Sequence, residues 1–146
     1  MLKKLLLQGK AVLGLHVAVI GRIHDQRYHV YSIDTDYGGI EQGDVFDLGE
    51  TYCKDVVARK KTMTYDDVAE ITEMLKHPCY QNTQLRAYIG TPILVDNRVW
   101  GTLSFSSLSP KEPNFTAADY HFVDSLADQI TQLLSARPLI SAIQNK

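Results

Sequence analysis

Few side chains in this sequence stand where chemistry would be expected. Cys53 and Cys79 are too few for a disulfide scaffold and read as reduced thiols. Cys53 falls on an apolar helical segment, where a small thiol behaves as core. His24 and His29 flank a polar turn. A stable metal site takes three or four ligands, so this pair reads as surface histidines and no metal is expected. Residues 34–47 carry Asp34, Asp36, Glu41, Asp44 and Asp47 among Gly38, Gly39 and Gly43. Counted from Asp34, a calcium loop has its glycine at Gly39, but its twelfth position is Val45, where a glutamate is required. A phosphate cradle places Lys and Ser or Thr after its last glycine, whereas Asp44 follows Gly43 and would repel phosphate. The segment reads as an acidic loop.

Bulk properties narrow the field further. The chain has 146 residues, about one domain, long enough to bury roughly two-thirds of its unfolded surface. Its net charge of −2 argues against nucleic acid as a partner, because phosphate recognition needs a basic face. The longest basic run, Arg59-Lys60-Lys61, is too short to supply one. The apolar N-terminus looks superficially like a signal peptide, but Gln8, Gly9 and Lys10 interrupt it and no cleavage site is clear. No stretch is long and apolar enough to span a membrane. The expected location is cytoplasmic.

The elements that would position a site follow from periodicity. Residues 88–107 alternate with a period of two on either side of Asp96-Asn97, the sign of a hairpin. Ile89, Thr91, Ile93 and Val95 share one face; Trp100, Thr102, Ser104 and Ser106 are expected to share another. Pro92 cannot donate to a ladder and marks an edge or a bulge. A first helix is expected over 2–13, weakened by Gly9. A first hairpin is expected over 15–33, turning at 24–27. Further helices are expected over 51–59 and from Asp67, which has Glu70 three residues on as in a capping box, to His77-Pro78. A short strand covers 62–65 and a loop 78–87. Thr116 and Asp119 form a capping box for a last helix reaching about Arg137, where Pro138 ends it. This order implies an α+β layered domain: terminal helices on one face of an antiparallel sheet, middle helices on the other, with a pocket between.

Four blocks then carry a resemblance. They are Leu48-Gly49-Glu50-Thr51-Tyr52-Cys53, Tyr88-Ile89-Gly90-Thr91-Pro92-Ile93, Trp100-Gly101-Thr102-Leu103-Ser104-Phe105 and Phe115-Thr116-Ala117-Ala118-Asp119. Together and in this order they resemble a GAF domain, a sensory module of bacterial signalling proteins. The resemblance covers residues 1–137 and leaves 138–146 as a tail or linker toward an output domain. It implies a PAS-related central antiparallel sheet of five or six strands flanked by helices.

The resemblance also sets the functional alternatives, because members share a fold and differ in ligand. Tetrapyrrole-binding members carry a linkage cysteine followed by His; here Tyr80 follows Cys79. The Asn-Lys, Phe and Asp-Glu signature of cyclic-nucleotide binders is absent. Some free-standing members are free methionine sulfoxide reductases, which need an activated thiolate and a resolving thiol; Cys53 and Cys79 are the candidates. The favoured expectation is a non-catalytic sensory or regulatory domain with no cofactor beyond a small-molecule ligand. Its pocket is expected to be lined by Tyr65, His77, Cys79, Tyr80, Arg86 and Tyr88. Arg86 would pair with an anion, and the rings would stack on a flat ligand. By analogy, the terminal helices pair with those of a second chain, and the domain works with a histidine kinase or a diguanylate cyclase.

Overall fold

The computed structural model describes residues 1–135. The tail expected at 138–146 and the stop expected at Pro138 lie outside the described residues. Helix α1, Leu2–Leu13, buries Leu2, Leu6 and Leu13 and closes on Gly14, whose left-handed backbone lets its N–H reach Lys10. Gly9 serves packing here, despite its low helix propensity. A Cβ at Gly9 would overlap the ring of Phe105, so the glycine lets α1 lie down on the sheet.

Strands β1, Val17–His24, and β2, Arg27–Thr35, form the first hairpin. Its two turn residues, Asp25 and Gln26, have φ of 52° and 62°, as a two-residue turn requires. The acidic segment expected to be loop to its end instead finishes in strand β3, Val45–Asp47, paired with the start of β2. The 3-10 turn Leu48–Glu50 leads into helix α2, Cys53–Arg59, and then into strand β4, Met63–Tyr65.

The next segment departs from expectation. Asp67 does cap, accepting a hydrogen bond from the Ala69 N–H, but only two 3-10 turns follow, Val68–Glu70 and Thr72–Lys76. Tertiary contacts override helix propensity here. Val68 is fully buried, its N–H bonds the Arg86 carbonyl, and Ile71 between the turns is extended. Pro78 then begins an element where a loop was expected. It occupies the first turn of helix α3, Pro78–Thr83, where its missing N–H costs nothing, and His77 Nδ1 caps it by accepting from the Cys79 N–H.

Strands β5, Ala87–Val95, and β6, Arg98–Ser107, form the expected second hairpin, with φ of 54° and 64° at Asp96 and Asn97. Pro92 lies beyond the end of β4, which pairs only as far as Gly90. Helix α4, Ala117–Ser135, starts with the expected capping box: Asp119 N–H donates to Thr116 Oγ1, and Thr116 N–H to Asp119 Oδ2.

The six strands form one antiparallel sheet in the order β3-β2-β1-β6-β5-β4. One face carries Ile20, Ile89, Ile93, Leu103 and Phe105, covered by Leu6 of α1 and by Val123, Leu126 and Ile130 of α4. The other carries Val17, Val19, Tyr28, Val30 and Tyr88, under Val56 of α2, Val68 and Cys79 of α3. This is the α+β arrangement expected, with both terminal helices on one face.

Two bulges correct the facing of Trp100. Ile20 pairs with Ser32 but Gly21 with Val30, leaving Tyr31 unpaired; Ile93 pairs with Gly101 but Leu94 with Val99, leaving Trp100 unpaired. An extra residue lets a side chain leave the alternation. Trp100 therefore joins the core under α1 and α4 instead of the face of Thr102 and Ser104. The two bulged rings meet edge-on, with centroids 5.1 Å apart, and the Arg22 guanidinium lies 5.8 Å over the indole.

Candidate functional site

Between the sheet and the middle helices lies a cavity of about 350 Å³, within the range of small-molecule sites. Alternation along the strands builds its floor: Val17 and Val19 of β1, Tyr28 and Val30 of β2, Tyr88 of β5, and Ser104 and Ser106 of β6. Tyr52 and Cys53 at the start of α2, with Cys79, Asn82 and Thr83 of α3, cover it, and Ile40 and Phe46 close one side.

Hydrogen bonds fix most of the polar groups around this space. Cys53 Sγ lies 3.0 Å from the Tyr88 hydroxyl and accepts from Thr102 Oγ1 at 3.2 Å. The Tyr52 hydroxyl donates to the Leu85 carbonyl at 2.8 Å. Thr83 Oγ1 donates to the Cys79 carbonyl and accepts from the Leu85 N–H. Burial pushes the Cys53 thiol and the Tyr28 and Tyr88 hydroxyls up from their ordinary pKa values, and takes Cys79 to about 11. All four are protonated at neutral pH.

The six residues expected to form the pocket divide into two groups. Cys79 and Tyr88 border the cavity. Tyr65, His77 and Tyr80 belong to the packing around it. Tyr52 is the hub, with ring centroids 5.8 Å from Tyr65, 5.1 Å from His77 and 5.4 Å from Tyr88. Burial and the neighbouring Asp55 carboxylate push Tyr65 up to about 12. Tyr80 is half-buried against the same cluster. Arg86 points elsewhere: its Nε and Nη2 grip both carboxylate oxygens of Asp67 at 2.8 and 2.6 Å. That bidentate pair holds Asp67 below the usual carboxylate range. The sequence reading did not include the β1–β2 wall, the Ile40 and Phe46 side or the two floor serines. The shared parity of Thr102, Ser104 and Ser106 was the available signal for the serines.

His77 yields a pH prediction. Burial lowers its pKa in the fold, so the unfolded chain binds the proton more readily. Stability is therefore full above the ordinary histidine value of about 6.5 and is expected to fall as pH drops below it. Urea midpoints at pH 7.5 and 5.5 check this. His77→Asn, which keeps a capping acceptor, should flatten the dependence.

One antiparallel sheet with its terminal helices on one face, and a partly open cavity beneath its middle helices on the other, defines the class of fold. The profile of the GAF domain family matches residues 1–135. The chain belongs to the GAF domain family. Its fold is similar to the GAF domain of an Acinetobacter phosphoenolpyruvate-protein phosphotransferase, with a TM-score of 0.74, 17% identity, and 99% of this chain covering 84% of that one. It is also similar to the cyanobacteriochrome receptor PixJ, at TM-score 0.73, 16% identity and 92% and 93% coverage. The chromophore-binding domain of a bacteriophytochrome from R. palustris matches at TM-score 0.72 and 14% identity, with 96% of this chain covering 54% of that one. No curated protein matches the sequence. Among the described residues, no helix is long and apolar enough to cross a membrane, and no three His, Cys, Asp or Glu side chains gather as metal ligands.

Proposed function

We propose that this chain is a non-catalytic sensory or regulatory domain that binds a small molecule between its sheet and helices α2 and α3. The observation that carries the reading is the partly open cavity of about 350 Å³, bordered by two thiols that burial keeps protonated. A thiol reductase needs the opposite shift.

Transmission runs to the terminal helices. Ile40 borders the cavity from the loop after β2, and that loop is tied to α1. Lys10 Nζ of α1 reaches Asp34 and Asp36 at 2.7 Å each, and His16 Nδ1 lies 3.0 Å from Asp36. A ligand that displaces Ile40 thus pulls on α1, which packs on α4. The terminal helices pair with those of a second copy, in a cytoplasmic signalling protein whose output is a histidine kinase or a diguanylate cyclase. Light scattering over rising concentration checks the pairing, and a monomer throughout removes it.

Binding itself is tested by thermal unfolding with a fractionated extract of small molecules. At least one fraction should raise the midpoint. Val19→Phe, which fills the cavity, should remove that rise while keeping a cooperative transition. A rise that survives Val19→Phe, or no rise with any fraction, overturns the reading.

A further inference from the structure

We propose that the cavity selects an uncharged, largely apolar molecule that makes one deep hydrogen bond, to the Ser106 hydroxyl. This inference rests on the cavity being a ligand site and adds the ligand's chemical class.

Charge comes first. Among the described residues no cationic side chain borders the cavity, and the one charged neighbour, Glu50, is an exposed residue at the rim. Arg86, the residue expected from the sequence to pair with an anion, lies outside the lining and is clasped by Asp67 at 2.6 Å. Helices α2 and α3 have seven and six residues, too short to supply a strong field from their ends. An entering anion would lose its hydration and find no countercharge.

Hydrogen-bonding capacity comes second. The hydroxyls of Tyr52, Thr83 and Tyr88 are spent on the protein's own groups, as is that of Thr51, which donates to the Leu48 carbonyl. Ser104 serves the cluster of Tyr28 and Cys53. Ser106 differs. It borders the cavity, is 6% exposed, and has no side-chain hydrogen-bond partner among the described residues. Its Oγ opens onto the cavity, so a ligand group that bonds it adds a hydrogen bond without breaking one inside the protein. A buried water takes about three partners. One free deep hydroxyl holds water poorly, and an apolar molecule with a single polar group displaces it favourably.

The test uses matched neutral and acidic probes, read by amide chemical shifts of the intact chain at pH 7. The pairs are 1-naphthol with 1-naphthoate, and indole-3-ethanol with indole-3-acetate; naphthalene is the probe without a polar group. The alcohols should shift the amides of Val19, Ser104 and Ser106. The acids should bind at least about a hundredfold more weakly, because a carboxyl of pKa near 4 must enter protonated. Ser106→Ala should weaken 1-naphthol roughly two- to tenfold and leave naphthalene unchanged. Acids that bind at the same amides as tightly as their alcohols overturn the charge rule alone. Equal losses for naphthol and naphthalene in Ser106→Ala overturn the assignment of the serine. If no probe moves these amides, the cavity is not a ligand site and the proposed function fails with it.

Discussion

Gly101→Ala is expected to destabilise the fold by about 3 kcal/mol or more, the upper range for overpacking. The added Cβ would overlap the Gly21 carbonyl oxygen and come within 3.2 Å of the Arg22 Cα. These are backbone atoms of β1, which pairs with β6 at the centre of the sheet. A side chain can change rotamer to make room, whereas a ladder strand moves only by breaking its hydrogen bonds. Gly9→Ala is the informative companion. Helix propensity alone predicts a gain of about 1 kcal/mol. The Cβ would instead strike the Phe105 ring, which is fully buried, so a loss is expected. Urea midpoints of both variants decide the matter, and a wild-type midpoint for Gly101→Ala would mean that β1 and β6 sit further apart than described.

The elements legible from the sequence were those set by local pattern. The hairpins carry two-residue turns at Asp25-Gln26 and Asp96-Asn97, and their alternation survives across many residues. Helices α1 and α4 bury continuous apolar stripes. Elements set by distant contacts were not legible. The 68–76 segment looks helical, yet it is shaped by Val68 sinking into the core and bonding Arg86. The short strand β3 exists because β2 offers it an edge. Trp100 fits the alternation by count and leaves it through a bulge that only the register of two neighbouring strands creates.

The candidate site divides along the same line. Its walls come from β1, β2, the 36–44 loop, β3, α2, α3, β5 and β6, so register and not sequence proximity gathers them. The expected pocket drew on the middle helices, their loops and two strand residues, Tyr65 and Tyr88, which is why it contained Cys79 and Tyr88 but not Val17, Tyr28 or Ser106. Arg86 marks the limit of reading charge from sequence. Its partner, Asp67, lies nineteen residues away, and a basic residue near a pocket looks available until that partner is placed.

Both thiols are expected to react slowly in the native protein, Cys79 about a hundredfold more slowly than an ordinary thiol at neutral pH. The nucleophile is the thiolate. Raising the Cys79 pKa from 9.0 to about 11 lowers the thiolate fraction by that factor, since each pH unit is tenfold. Cys53 is 2% exposed and also raised, by burial above all, so it should be slower still. Ellman's reagent, added to folded chain and to chain in urea, measures both, with Cys53→Ser and Cys79→Ser separating the two signals. The rates in urea should reach that of a free thiol. The same shift opposes peroxide or sulfoxide chemistry, so the folded chain should not consume free methionine sulfoxide. Fast labelling of either cysteine in the folded chain would mean that the cavity opens to water on that timescale. The thiols would then be available for redox work, and the reductase reading would displace the sensory one.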